Sequence, residues 1–174
     1  DAVIVSSPSH ILIVNPFGIG DVLFTTPLVR AVRRAFPRSV IGYLCNRRTE
    51  PILRANPHLD RLFVYEKDEF VELWRRSPRQ GAAHVVGLLR QVLRERFEVV
   101  IDLSLGERYG FILRCLGIPR RIGFDFRRRG RFLSDRLWID GYTEAHVVEY
   151  YRRLLRFLGI HLMEDALELR VYPA

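Results

Sequence analysis

Apolar runs of strand length alternate along this chain with longer stretches whose apolar residues recur at helical spacing. Ile11-Leu12-Ile13-Val14 is a continuous run suited to a strand covered on both faces, and Asn15-Pro16-Phe17-Gly18 behind it is a turn signal. A helix is predicted from about residue 27. Thr26-Pro27 forms an N-cap and N1 pair, Val29, Val32 and Phe36 share a face, and Pro37 ends the pattern. Val40–Cys45, a short helix around Glu50 to Ala55, and Arg61–Tyr65 extend this to β-α-β-α-β. Residues 68–97 read as two helical pieces split near Ser77–Gly81, the second with Val85, Leu89, Val92 and Leu93 on one side. Val99–Leu103 is the next strand. The helix behind it places Tyr109, Ile112, Leu113 and Leu116 on one face and stops at Gly117. Gly117-Ile118 and Gly159-Ile160 both carry the signature of a Schellman stop. Arg121–Phe124 is a short strand, the last helix is predicted from an N-cap at Thr143, and Ala166–Val171 reads as a final strand. Six strands alternating with helices predict an α/β fold with a three-layer, Rossmann-like, doubly wound parallel sheet.

Composition narrows the class. The 174 residues suffice for one domain, 1–174, and hardly for two. A hydrophobic fraction of 48% with 28% charged residues is that of a globular protein. That composition sets aside disordered and collagen-like classes, and no apolar run approaches the roughly 18 residues of a membrane span, which sets aside an integral membrane protein. Lys plus Arg number 28 against 20 for Asp plus Glu, a net charge of +8, and every basic residue but Lys67 is arginine. The planar guanidinium fork suits phosphate and carboxylate, so the bias points to anionic ligands, although a GC-rich genome also produces it. Cys45 and Cys115, in apolar surroundings, match no metal-ligand spacing and no disulfide scaffold, and are expected to be buried free thiols. The N-terminus has no basic n-region and is not an intact signal peptide. A chain opening on Asp1 and ending just behind a strand-like run is expected to be a piece of something larger.

Ligands of doubly wound sheets bind at the carboxyl ends of the strands, so the loops there carry the functional weight. In Asn15–Asp21, Gly18 and Gly20 permit a tight turn and close backbone approach, and Asp21 lies where the next helix begins. A dinucleotide fingerprint would need a small residue at Leu23, and a P-loop would need Gly-Lys-Ser/Thr, so neither motif is present. Asp21 has two readings. It fills the role of an N-cap well. If the regular helix starts instead at Thr26-Pro27, its carboxylate is left to face the cleft, where it suits a general base taking a proton from an attacking hydroxyl.

Gly18-Ile19-Gly20-Asp21-Val22, followed by Pro27 and by Arg33-Arg34-Ala35-Phe36-Pro37, resembles the opening of the ADP-heptose:lipopolysaccharide heptosyltransferases, glycosyltransferase family 9. Four further segments resemble the same family in order: Asn56-Pro57-His58-Leu59-Asp60-Arg61-Leu62; Asp102-Leu103 with Arg108; Pro119–Asp125; and His146-Val147-Val148-Glu149-Tyr150-Tyr151. Phe17 and Ile19 stand where the family often has Ser or Thr, and Leu105-Gly106 shifts the glycine behind Asp102. The resemblance implies the N-terminal, acceptor-binding half of a GT-B enzyme, with no counterpart here of the donor-binding C-terminal domain. It implies Asp21 as general base in an inverting transfer from a nucleotide-diphosphate, ADP-heptose-like donor, with no cofactor in this chain and no metal required. Alone, this half is expected to be inactive.

The family's acceptor is an anionic glycolipid or sugar phosphate, which gives cleft-side arginines a role. Arg75, Arg76 and Arg79 at the helical break, Arg108 behind the Asp102 strand, and Arg127, Arg128 and Arg129 with Arg131 behind the Gly123 strand are the acceptor-binding candidates, together with Gly18 and Gly20. Arg152, Arg153 and Arg156 read as the outer face of a helix, and His146 as a capping or packing residue. Phe70, Trp74, Phe132 and Trp138 are available for lipid, and the resemblance implies a cytoplasmic location with peripheral contact at the inner membrane surface. The rival readings are a non-enzymatic anion- or glycan-binding module and a nucleic-acid-binding domain. The latter has charge alone in its favour, with no helix-turn-helix, RNP or zinc pattern.

Overall fold

The computed structural model describes residues 7–142 and 145–168. The strands are β1 (His10–Val14), β2 (Val40–Cys45), β3 (Arg61–Val64), β4 (Val99–Asp102), β5 (Arg120–Phe126) and β6 (Asp135–Ile139). The helices are α1 (Ile19–Phe24), α2 (Thr26–Ala35), α3 (Glu50–Arg54), α4 (Lys67–Arg76), α5 (Pro78–Arg94), α6 (Glu107–Cys115) and α7 (Val147–Leu155), the last running into a short 3-10 turn at Arg156–Leu158. All six strands are parallel in the order β3-β2-β1-β4-β5-β6. The chain works outward from β1 to one edge, returns to β4 beside β1, and works outward again. Strand order therefore reverses between β1 and β4, and the crevice at their carboxyl ends is the ligand position of such sheets.

β1 shows why the central strands read as unbroken apolar runs. Ile11 and Ile13 enter the larger core cluster with Leu28, Val29 and Val32 of α2 and Leu154 of α7, whereas Leu12 and Val14 enter the smaller one with Phe63, Val92, Phe97 and Leu113. Successive side chains point to opposite faces, and both faces are covered. The helix stops form as expected. Gly117 and Gly159 adopt φ of +74° and +73°. Behind them, the N–H of Ile118 donates to Leu113 O at 3.3 Å and that of Ile160 to Leu155 O at 3.2 Å. The break at Ser77 also forms, with its side chain accepting from Gln80 N–H at the head of α5.

Several expectations are corrected. The sixth strand is Asp135–Ile139, not Ala166–Val171; residues 166–168 have no regular structure and 169–171 lie outside the described residues. β6 escapes the pattern because it is a five-residue edge strand opening on two charged residues. It is also reached by an eight-residue connection, 127–134, where a helical crossover is usual. That connection crosses β5 at Gly123, where a Cβ would meet Asp102 O at 2.7 Å and Leu133 Cδ1 at 3.0 Å. Arg121 pins it by donating to the carbonyls of Ile118, Pro119 and Phe132. α2 is capped at Thr25, one residue before the expected Thr26. α7 begins at Val147 with His146 as its N-cap; the expected cap Thr143 lies outside the described residues. Ile112 is exposed, since the inward face of α6 is Tyr109, Gly110, Leu113 and Leu116. Cys45 is buried, but Cys115 is exposed on the same outer flank as Ile112.

Candidate functional site

The loop behind β1 is held by two amide side chains. Asn15, fully buried, accepts at Oδ1 from Phe17 N–H at 3.1 Å, and Asn46 Nδ2 donates to the carbonyls of Pro16 and Phe17 at 3.2 and 2.7 Å. The helix then starts at once. Gly18 is the N-cap of α1, with φ −78° and ψ −176°, so Asp21 is the third helical residue and not the cap. Its carboxylate stands in the first turn, where the helix dipole favours negative charge. Asp21 is exposed, and no hydrogen bond or ion pair to a described residue engages it. Gly18 and Gly20 are not needed for a strained turn. A Cβ at Gly18 would approach only Asp21 Oδ2, at 3.9 Å, and one at Gly20 would meet nothing within 4 Å, so the space beside both is open.

Beneath this exposed carboxylate the frame is rigid. Thr25, buried between α1 and α2, donates to Val22 O at 2.7 Å and shares a hydrogen bond of 2.8 Å with the Tyr43 hydroxyl. Burial pushes the Tyr43, Tyr142 and Tyr151 hydroxyls well above the usual tyrosine range, and the negative charge of Asp21 adds to each shift. Three tyrosines from β2, the loop behind β6 and α7 thus lie within the field of Asp21. Only Tyr151 lies in a segment that the sequence marks, at the end of His146–Tyr151. Phe24, one turn beyond Asp21, packs edge-on against the His146 ring at 5.0 Å. Both line a groove of about 370 Å³ closed by Glu149, Arg152, Asp165 and Leu167.

The other wall of the crevice is the end of β4. Asp102, opposite Val14 in register, is buried, and burial pushes its carboxyl up to about 6 against the pull of Ser104, whose N–H donates to Oδ1 at 2.9 Å. Arg108 follows in the first turn of α6. Its charge lowers the Tyr65 hydroxyl, which burial raises, and burial pushes neighbouring Tyr109 up to about 12, with Tyr65, Asp102 and Glu66 adding to the rise.

The remaining arginine candidates fall into two separate groups. Phe126-Arg127-Arg128-Arg129 is a tight turn closed by Arg129 N–H donating to Phe126 O at 3.1 Å, with Arg127 and Arg128 at φ of 52° and 60°. The left-handed region costs about 1–2 kcal/mol for each residue with a Cβ. All three arginines are exposed at the strand ends, and Arg127 lies over the Phe126 ring at 4.9 Å. Arg131 is already paired with Glu107. Arg75, Arg76 and Arg79 cluster at the junction of α4 and α5, with Arg76 paired to Glu72 at 2.5 Å. Leu88 and Val92 are the α5 residues in the smaller core cluster, which leaves the front half of α5 and its Arg79 beyond the sheet. No hydrogen bond or ion pair among the described residues joins either arginine group to Asp21. Arg152 and Arg153 pair with Glu149, in keeping with an outer helix face. Among the described residues no group of three or more His, Cys, Asp or Glu could hold a metal ion.

Other resembling segments serve the scaffold. Arg33 donates to the carbonyls of His58 and Ser39 and pairs with Asp60, whose Oδ2 also accepts from Ile41 N–H at 2.7 Å. Two motifs distant in sequence thereby tie α2 to β2 and to the loop before β3.

A parallel sheet in this order, with helices between its strands, defines a Rossmann-like α/β fold. Comparison with known proteins shows which fold it resembles. No family model matches the chain. It is 24% identical over 155 residues to lipopolysaccharide heptosyltransferase 3 of Escherichia coli K12, covering 81% of this chain and 40% of that protein. A second E. coli protein of the same name is 21% identical over 161 residues, covering 89% and 44%. Among solved structures, the family 9 glycosyl transferase of Veillonella parvula superposes with a TM-score of 0.70 at 22% identity, over 95% of this chain and 46% of that one. E. coli heptosyltransferase WaaC with ADP-2-deoxy-2-fluoro heptose gives 0.73 at 20%, over 86% and 48%. The fold is the heptosyltransferase-like fold of glycosyltransferase family 9, and the chain spans less than half the length of these relatives.

Proposed function

We propose that this chain is the acceptor-binding, N-terminal half of an inverting family 9 glycosyltransferase that transfers a heptose-like sugar from a nucleotide diphosphate to an anionic core-type acceptor. The observation that carries the reading is Asp21: an exposed carboxylate, unengaged by described residues, on a helix that starts beside the switch-point crevice. In the two-domain enzyme its carboxylate takes the proton of the acceptor hydroxyl. The oxygen attacks the anomeric carbon from the face opposite the diphosphate, the bond to the diphosphate breaks, and the nucleotide leaves with that electron pair. The open space over Gly18 and Gly20 admits the acceptor, and Arg108 and Arg127–Arg129 hold its phosphate or carboxylate groups from the strand ends. Arg75, Arg76 and Arg79 reach it from the helical hairpin. The donor belongs to the second domain, so this chain alone transfers no sugar.

The reading is tested by titrating the chain with a phosphorylated, acidic core-type acceptor and, separately, with ADP. Acceptor binding that weakens about tenfold on Arg108→Ala or Arg128→Ala, with no ADP binding, is the expected result. Tight ADP binding by this chain, or acceptor affinity indifferent to these arginines, contradicts it.

A further inference from the structure

We propose that the tyrosine cluster beside Asp21, formed by Tyr142, Tyr151 and Tyr43, is a subsite for an uncharged, polyhydroxylated sugar ring. Resting on the transferase reading of Asp21, the ring that carries the attacking hydroxyl is then neutral, and the acidic groups of the acceptor lie elsewhere, on the arginines. Tyr43, Phe124, Tyr150 and Tyr151 all belong to the larger core cluster. Tyr142 leans on its rim, with its ring 5.2 Å from Tyr150 and 6.1 Å from Phe124 at interplanar angles of 76° and 88°. Phe124 in turn stands 6.2 Å from Tyr151. Edge-to-face contacts with two partners hold the Tyr142 ring, yet 37% of this residue is exposed. A ring fixed before its ligand arrives offers contact area at a small entropic cost.

The polar atoms of the cluster are unsatisfied. The hydroxyls of Tyr142 and Tyr151 have no hydrogen-bond partner among the described residues, and neither is enclosed, although Tyr151 as a whole is only 4% exposed. The Tyr43 hydroxyl shares its bond with Thr25. Asn15 Nδ2 lies close enough to favour the ionised form of that hydroxyl but, fully enclosed, completes no hydrogen bond among the described residues. A phenol both donates and accepts, and a pyranose offers hydroxyls to such groups while its C–H faces pack on aromatic rings. Charge then selects among ligands. Asp21 is the one carboxylate whose charge reaches all three tyrosine hydroxyls, and no arginine or lysine among the described residues offsets it there. Arg153, which lies 5.4 Å over the Tyr150 ring, pairs with Glu149 at 3.6 Å. A carboxylate or phosphate held beside Asp21 without a cation is weakened about fivefold even at the dielectric of water. A nucleotide base would also stack on Tyr142, but it would bring its diphosphate into the same field.

The probes are the methyl glycosides of a neutral heptopyranose and of a hexuronic acid, each titrated into this chain at neutral pH and followed by saturation-transfer NMR. The neutral glycoside should bind about fivefold more tightly than the acid, and Asp21→Asn should remove most of that difference without weakening the neutral probe. Tyr142→Ala should weaken the neutral glycoside about tenfold, and Tyr142→Phe and Tyr151→Phe, which keep the rings, about threefold each at a thermal midpoint within a few degrees of the parent. No binding of the neutral glycoside, equal or tighter binding of the acid, or an affinity indifferent to Tyr142 overturns the proposal. Arg108→Ala separates it from the transferase reading, since it should weaken the full anionic acceptor and leave the neutral glycoside unchanged. If the full acceptor fails to bind while the neutral glycoside still depends on Tyr142, the transferase reading alone falls. If the full acceptor depends on Arg108 and the neutral glycoside ignores Tyr142, the subsite alone falls.

Discussion

Two helical crossovers leave the sheet on opposite sides of β2, and both are broken helices. α1 and α2 are split at Thr25, α4 and α5 at Ser77. In α2 six of ten residues are buried, among them Leu28, Val29 and Val32 at full burial. α4 buries none of its ten, and α5 only Gly81 and Val92 of seventeen. The amphipathic patterns look alike, but α2 spends its apolar face on the sheet and α4 spends it on α5. A Cβ at Gly81 would come within 3.0 Å of the Trp74 backbone, so the hairpin's tightest packing is internal. The first crossover is therefore a platform that fixes Asp21 over the core. The second is a hairpin whose two helices bury few residues and pack chiefly on each other.

The largest effect that separates them is a core truncation. Leu28→Ala should cost about 2–5 kcal/mol in urea unfolding, whereas Leu73→Ala, on the half-buried face of α4, should cost about 1 kcal/mol or less. Equal losses would show that the hairpin is as integral as the platform. Next is Asp102, whose carboxyl is pushed from 3.8 up to about 6 by burial. The native state holds that proton more tightly than the unfolded chain, so stability falls as pH rises from about 4 through 6 and this contribution is absent above. The shift corresponds to about 3 kcal/mol at most. Asp102→Asn should flatten that slope and raise the unfolding midpoint above pH 6; a variant with the parental slope would assign the pH dependence elsewhere. Smallest is the cap within the hairpin. Ser77→Ala removes the side-chain acceptor for Gln80 N–H and should speed amide hydrogen exchange in the first turn of α5, with about 1 kcal/mol of local destabilisation, while α2 amides stay unchanged.

The comparison also marks what was legible in the chain. Five strands, the break at Ser77 and the stops at Gly117 and Gly159 rest on local physics of periodicity, capping and left-handed glycine, and local physics reads directly from neighbouring residues. β6 rests on Gly123 letting Leu133 pass, a contact between residues ten apart that only the folded sheet creates. Asp21 was legible as a loop carboxylate before a helix. Its N-cap reading failed because Gly18, in an extended conformation, already starts the helix three residues earlier. The tyrosines around it come from β2, from behind β6 and from α7, and no single stretch of sequence places them together. The same holds for Cys115 and Ile112, whose helix has two apolar sides and only one covered.

The central claim is that the platform presents Asp21 as the base, with binding left to arginines elsewhere. It is tested most directly by Asp21→Asn in the two-domain enzyme that carries this half, measuring turnover and acceptor affinity on the same protein. The account predicts turnover lower by about 10²–10⁴-fold, with acceptor Kd and thermal midpoint within about twofold and a few degrees of the parent. Turnover left at the parental rate, or lost in proportion to acceptor affinity, would contradict it.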